Sequence, residues 1–137
     1  MKNAKPILLV EDDIVDAHTV RRALKEINVL NQVIHAKNGE EALKYIENGT
    51  NELPCIILLD LNMPIMNGIE FLKERNKVDK LRVLPVVVLT TSKDDEDKLD
   101  SFKLSISGYM VKPVDYYQFV EVIRTIDLYW TLSETVN

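Results

Sequence analysis

Short apolar runs alternate with stretches in which apolar residues recur at helical spacing, from one end of the chain to the other. Pro6 to Val10 is the first run, and Val20, Ala23, Leu24 and Ile27 then predict a helix over Asp13 to Asn28. Gln32 to Ala36 reads as a short second strand. Asn38-Gly39 opens a helix over Glu40 to Asn48, with acids in its first turn and Gly49 placed to stop it. Cys55 to Leu59 is apolar at every position, as in a strand buried on both faces. Asn67-Gly68 introduces a helix with Ile69, Phe71 and Leu72, and Lys77 to Val83 reads as a polar connection. The β-branched run from Pro85 gives a fourth strand. The charge run Lys93 to Lys98 then begins a helix reaching about Lys103, and reads as a solvated face. After a fifth strand at Gly108, Asp115 is placed to cap a last helix.

This βαβαβαβαβα order predicts an α/β fold, a doubly wound five-stranded parallel sheet with helices on both faces. At this length the flavodoxin-like strand order 2-1-3-4-5 fits. One domain is expected over residues 1–137, with 127–137 a helix extension and tail.

Four of the runs end in residues that carry chemistry. Val10 is followed by Glu11-Asp12-Asp13, Leu59 by Asp60, Leu89 by Thr90-Thr91-Ser92, and Val111 by Lys112-Pro113. As parallel neighbours, these strands would bring all those groups to the sheet's C-terminal edge, where open α/β sheets bind ligands. An Asp that only caps a turn would explain Asp60 alone, but not the other three. Carboxylates packed this closely raise a pKa or recruit a cation. An all-oxygen set with few positions favours Mg²⁺. Zinc fits poorly, because His18 and His35 lie far from the motifs and Cys55 is at the wrong end of its strand. A hard cation, a hydroxyl and an amine around a free carboxylate match the needs of phosphoryl transfer to an aspartate. Pro113 would lock the turn that aims Lys112, a cis peptide bond being one way to do so.

Composition narrows the class. A net charge of −5 argues against a basic nucleic-acid-binding surface, and no run of roughly 18 apolar residues could span a membrane. Met1 to Pro6 lacks the apolar stretch of a signal peptide, and the single cysteine cannot form an internal disulfide. A cytoplasmic protein is expected.

Val10-Glu11-Asp12, Asp60-Leu61-Asn62-Met63-Pro64 with Asn67-Gly68, Thr90-Thr91-Ser92 and Tyr109 to Pro113 resemble the receiver domains of two-component response regulators. The resemblance covers essentially the whole chain. It implies that Asp60 accepts a phosphoryl group from a sensor histidine kinase or phosphotransfer protein. It implies that Mg²⁺ is bound by Asp12, Asp60 and the Asn62 backbone carbonyl, with Glu11 acting through water. Thr90 and Lys112 would contact the phosphoryl group, and Tyr109 would be the aromatic switch that turns inward as Thr90 moves. Asp13 falls in the following loop and is not a ligand in this alignment. Two departures stand out. Many receivers have two aspartates where this chain has Glu11-Asp12. Many also have Gly-Ala where it reads Ser105-Ile106, so a Ser replaces a helix-ending Gly beside the switch.

No DNA-binding module follows the last helix, so the expected output is protein contact or phosphorelay. On that helix Phe119, Val122, Ile123, Ile126 and Trp130 share a core-facing stripe, while Tyr117, Leu128 and Leu132 project near the opposite face. A homodimer or a partner surface through this helix and tail is the expectation. Val114-Asp115, Phe119 and Tyr129-Trp130 also resemble the stand-alone regulators paired with phytochrome-type kinases. Two other classes compete: a receiver-like scaffold that is not phosphorylated, and an aspartate-nucleophile phosphatase of the haloacid-dehalogenase type. The latter would need an Asp where Asn62 stands.

Overall fold

The computed structural model describes residues 5–90 and 104–130. The expected Thr91 and Ser92 hydroxyls, the helix over 93–103, and the tail with Leu132 lie outside these residues. The strands are β1 (Ile7–Val10), β2 (Val33–Ala36), β3 (Ile56–Leu59), β4 (Val86–Thr90) and β5 (Gly108–Val111). They form one parallel sheet in the order β2-β1-β3-β4-β5, as the alternating pattern predicts. Every residue of β1, β3 and β4 is buried, because helices cover both faces.

Helices α1 (Ile14–Glu26) and α5 (Tyr116–Trp130) cover one face, where Ile7, Leu9, Ile56 and Leu58 meet Val20, Leu24, Phe119 and Ile123. The other face buries Leu8, Val10, Ile57 and Leu59 against Ala42 and Ile46 of α2 (Gly39–Glu47) and Phe71 and Leu72 of α3 (Gly68–Arg75). Each fully buried Leu, Ile or Phe contributes about 1.5–3 kcal/mol of transfer free energy. This alternation of faces directs the strand ends, rather than the core side chains, toward solvent.

The helix boundaries follow local chemistry. Asp13 caps α1, accepting from Val15 N at 2.8 Å and Asp16 N at 3.1 Å, so it is spent on the helix. Asn67 and Glu70 form a reciprocal capping box on α3. Asp115 caps α5 through Gln118 N at 3.0 Å. Gly49 does not stop α2 as expected, since no described glycine has a positive φ. Instead Asn48 leaves the helix in an extended conformation, its side chain accepting from Thr50 N and Oγ1.

The polar connection after α3 contains a short helix, α4 (Asp79–Arg82), because Leu81 is buried and pulls the segment into a turn. On α5 the fully buried set is Phe119, Val120, Ile123 and Ile126, with Val122 and Trp130 only half-buried. The missing Cβ of Gly108 leaves room for Trp130, whose Cη2 lies 2.8 Å from where that atom would be. Tyr117 and Leu128 are exposed, as the spacing predicts, and Tyr129 joins them. No described peptide bond is cis, so Lys112-Pro113 turns with a trans bond. Among the described residues no helix is long and apolar enough to cross a membrane.

At the N-terminal edge of the sheet Arg75 is 1% exposed. Its guanidinium donates to Leu84 O at 2.6 Å, Ser105 O at 3.2 Å and Asn76 Oδ1 at 2.5 Å. Asn76 Nδ2 adds a bond to Leu104 O at 3.0 Å. The end of α3 is thereby tied to the segments that lead into β4 and β5. Ser105 has φ 54, the left-handed conformation that a glycine would adopt more easily.

Candidate functional site

Backbone bonds beyond the strands carry the sheet's order into its C-terminal edge. Glu11 N donates to Ala36 O at 3.0 Å, Asp60 N to Val10 O at 3.0 Å, and Lys112 N to Thr90 O at 2.7 Å. Each strand end is thus held in register with its neighbour, and the residues after them are brought together. Gly68 brings α3 close behind Asp60. A Cβ there would stand 2.8 Å from Asp60 O and 2.8 Å from Leu61 Cα, so only glycine allows this approach.

The carboxylates of Glu11, Asp12 and Asp60 each offer an oxygen within 4.8 Å of the others. Glu11 is 3% exposed, Asp60 is half-buried and Asp12 is exposed, so the cluster opens from core to solvent. Lys112 Nζ lies 2.7 Å from Glu11 Oε1 and 3.6 Å from Asp16 Oδ2. Thr90 is wholly buried at the end of β4, and Tyr109, half-buried on β5, packs against the α2–α3 side of the core. Asn62 is exposed in the loop after Asp60, and its backbone N–H hydrogen-bonds the Asp60 carboxylate.

The electrostatics follow from this packing. Burial, and then the charge of Glu11, push the Asp60 carboxyl up to about 7 against the opposing pull of Lys112. Burial acts to lower the Lys112 ammonium, but its bond to Glu11 and the charges of Glu11, Asp60 and Asp16 outweigh this and raise it. One ammonium faces a cluster of three carboxylates, plus Asp16. The excess negative charge and all-oxygen donor set fit a hard divalent cation.

The spacing-based expectation therefore gathers Glu11, Asp12, Asp60 and Lys112 at one edge, with Asn62 in the adjoining loop. Two features were not legible. Asp16, in the first turn of α1, reaches Lys112. His35, read as distant from the motifs, lies beside them: its Nε2 is 2.7 Å from Glu11 O. Alternation along β2 could have assigned His35 a face, but the pairing Leu9↔His35 was needed to put it near Glu11.

Residues 7–124 match the family model of the response regulator receiver domain. The chain is 32% identical to response regulator Rcp1 of Synechocystis sp., over 96% of this chain and 92% of that protein. It is 34% identical to a probable methanogenesis regulatory protein, FilR2, of Methanothrix harundinacea, over 90% of this chain and 82% of that one. Among solved structures, the phosphorylated cyanobacterial phytochrome response regulator RcpA superposes with a TM-score of 0.82 at 33% identity, covering 96% of this chain and 97% of its own. The Mn²⁺-bound form of Rcp1 gives 0.81 at 34% identity, covering 97% of each chain. With the fold, the acidic cluster and these likenesses in agreement, the chain belongs to the response regulator receiver domain family.

Proposed function

We propose that Asp60 is the phosphoryl acceptor of this receiver and that Glu11, Asp12, Asp60 and the Asn62 carbonyl hold a Mg²⁺ ion beside it. The observation that carries the reading is the convergence of three carboxylates within 4.8 Å, with Lys112 as the facing amine. An Asp60 carboxylate oxygen forms the new O–P bond as the donor's P–N bond breaks. The electron pair leaves with the donor's imidazole nitrogen, which is protonated from solvent. Lys112 exchanges part of its interaction with Glu11 for a phosphoryl oxygen, and the Thr90 hydroxyl donates to another. A bound Mg²⁺ supplies the further positive charge that the transferring oxygens require. Tyr109, on the neighbouring strand opposite Val88 and two residues short of Thr90 in register, follows the Thr90 movement and carries the signal to the surface.

Incubation with acetyl phosphate and Mg²⁺, read by intact mass, tests this. Wild type gains one phosphoryl group and Asp60→Asn gains none. An unmodified wild type would leave the scaffold reading, and an undiminished adduct in Asp60→Asn would remove Asp60 as acceptor.

The donor we infer is a sensor histidine kinase of phytochrome type, a reading supported by the relatives that are phytochrome response regulators. Phosphotransfer profiling against the kinases of the host checks it, and fast transfer from a non-photosensory kinase alone would refute it. For the output, exposed Leu128, Tyr129 and Tyr117 on α5 favour a contact surface, with a second copy of the chain as its occupant. Leu128→Asp then lowers the sedimentation mass. A wild type that stays monomeric at high micromolar concentration, even when phosphorylated, argues against the dimer.

A further inference from the structure

Glu11 is the first residue beyond the β1–β2 ladder, and its two backbone groups are treated differently. Its N–H continues the ladder to Ala36 O. By the rule of parallel pairing its carbonyl would next accept from Asn38 N. That bond does not form. Asn38 has already turned into the N-cap of α2, its side chain accepting from Glu41 N at 2.9 Å. Among the described residues no backbone N–H reaches the Glu11 carbonyl. Its partner is the His35 ring, at 2.7 Å from Nε2. A carbonyl can only accept, so Nε2 carries the proton and donates.

The ring has no comparable duty in the core. Val33, on the same face of β2, packs into the hydrophobic cluster under α1, whereas His35 is half-buried. It borders a cavity of about 200 Å³ shared with Ile14, Ala17, His18, Arg21 and Lys37. With open space beside it, the imidazole owes its orientation to the bond it makes. That bond holds the first peptide of the turn between β1 and α1, the turn that presents Glu11 and Asp12 to Asp60. The far end of the same turn is held by the Asp13 cap on α1. His35 and Asp13 thus fix it from both sides.

We propose that His35 is a positioning residue for the phosphorylation site: its grip on the Glu11 carbonyl sets the β1–α1 turn and so the carboxylates that receive the cation. The proposal rests on the reading of Asp60 and its Mg²⁺ given above. Groups that orient metal ligands from behind typically change metal affinity 10–100-fold when removed. His35 acts through a backbone carbonyl rather than a ligating atom, so an effect near the lower bound, about tenfold, is expected.

The test uses the full chain with His35→Leu, which removes the donor, and His35→Gln, whose amide can donate at similar reach. Mg²⁺ binding is measured by calorimetry without any phosphodonor, and phosphorylation by acetyl phosphate is followed as a function of Mg²⁺ concentration. His35→Leu should weaken Mg²⁺ binding about tenfold. It should raise the half-maximal Mg²⁺ concentration by the same factor, with the rate at saturating Mg²⁺ nearly unchanged. His35→Gln should recover most of the affinity. Should the Leu variant unfold, His35→Met, close to Gln in size but without a donor, serves in its place against His35→Gln. Wild-type Mg²⁺ affinity in the donor-free variant, or equal losses in the Gln and donor-free variants, would overturn the proposal. A wild-type chain that binds no Mg²⁺ would overturn the underlying reading of the site and this inference with it, an outcome distinct from equal binding by wild type and variants.

Discussion

At the N-terminal edge of the sheet Arg75 is buried among oxygens that accept from both of its Nη atoms, while at the C-terminal edge Glu11 and Asp60 are packed beside each other. Both edges remove charge from water, and the physics of each differs. Arg75 faces two backbone carbonyls and an amide oxygen, and of its own three guanidinium nitrogens Nε alone has no partner among the described residues. Burial, and then Arg82, lower its pKa to about 10, which leaves it charged at neutral pH. The opposite edge combines like charges with one nearby ammonium, and the Asp60 carboxyl rises to about 7 in response. A charge closed by carbonyls ties elements together. A cluster with uncompensated charge stays receptive to a cation or to a proton. Both edges bury charged residues, and they differ in whether neighbouring groups compensate the charge.

The largest effect that could break the comparison is at the N-terminal edge. Arg75→Ala leaves the Leu84 and Ser105 carbonyls without their donor and opens a cavity, so we expect a loss of about 3–5 kcal/mol in urea unfolding. Its phosphorylation rate under native conditions should stay near that of wild type. A loss below about 1 kcal/mol would mean that water replaces the guanidinium and that the clamp is dispensable.

The next effect has the opposite sign and depends on pH. Asp60 has a folded-state pKa of about 7 against an ordinary 3.8. Below about pH 4 it is protonated in both folded and unfolded chains, and its charge costs nothing. Between about 4 and 7 the unfolded chain ionises first, so stability falls as pH rises, and above 7 the folded protein carries the full repulsion. Asp60→Asn should therefore be more stable than wild type at pH 8, with the advantage shrinking toward pH 4. Discounted for the solvent that reaches this half-buried group, the gain is on the order of 1 kcal/mol. Thermal unfolding of both proteins across this range, in the absence of divalent cations, measures it. A difference that does not vary with pH would sink the electrostatic account.

The smallest effect concerns backbone strain beside the Arg75 guanidinium. Ser105 stands at φ 54, where a side chain is disfavoured and a glycine is not. Ser105→Gly should stabilise the fold by about 0.5–1 kcal/mol, the relief of strain being offset in part by the greater freedom of glycine in the unfolded chain. Denaturant unfolding decides it, and destabilisation would mean that the Ser105 side chain contributes more than the strain removes.

The alternation of apolar runs with helical spacing determined the element order, and handed crossovers then left the parallel sheet as its natural closure. The abrupt change from apolar to reactive residues after Val10, Leu59, Leu89 and Val111 made Glu11, Asp12, Asp60, Thr90 and Lys112 legible before any geometry was known, because strand ends need only local pattern to recognise. The resemblance to receiver domains, many of which have a glycine there, also marked Ser105 as a Gly-like position, and its backbone is left-handed in the structure. Other features depended on which strands pair and in what register. His35 reaches Glu11 only because β2 lies beside β1 with Leu9 opposite His35. By sequence Arg75 is a basic residue in the last turn of a helix, where cations are common, and only the tertiary structure closes Leu84 and the distant Ser105 around it. Leu81 likewise turned a polar stretch into α4 once there was a core to receive it. Local periodicity is written along the chain, whereas a hydrogen bond between residues tens of positions apart exists only after the sheet has chosen its neighbours.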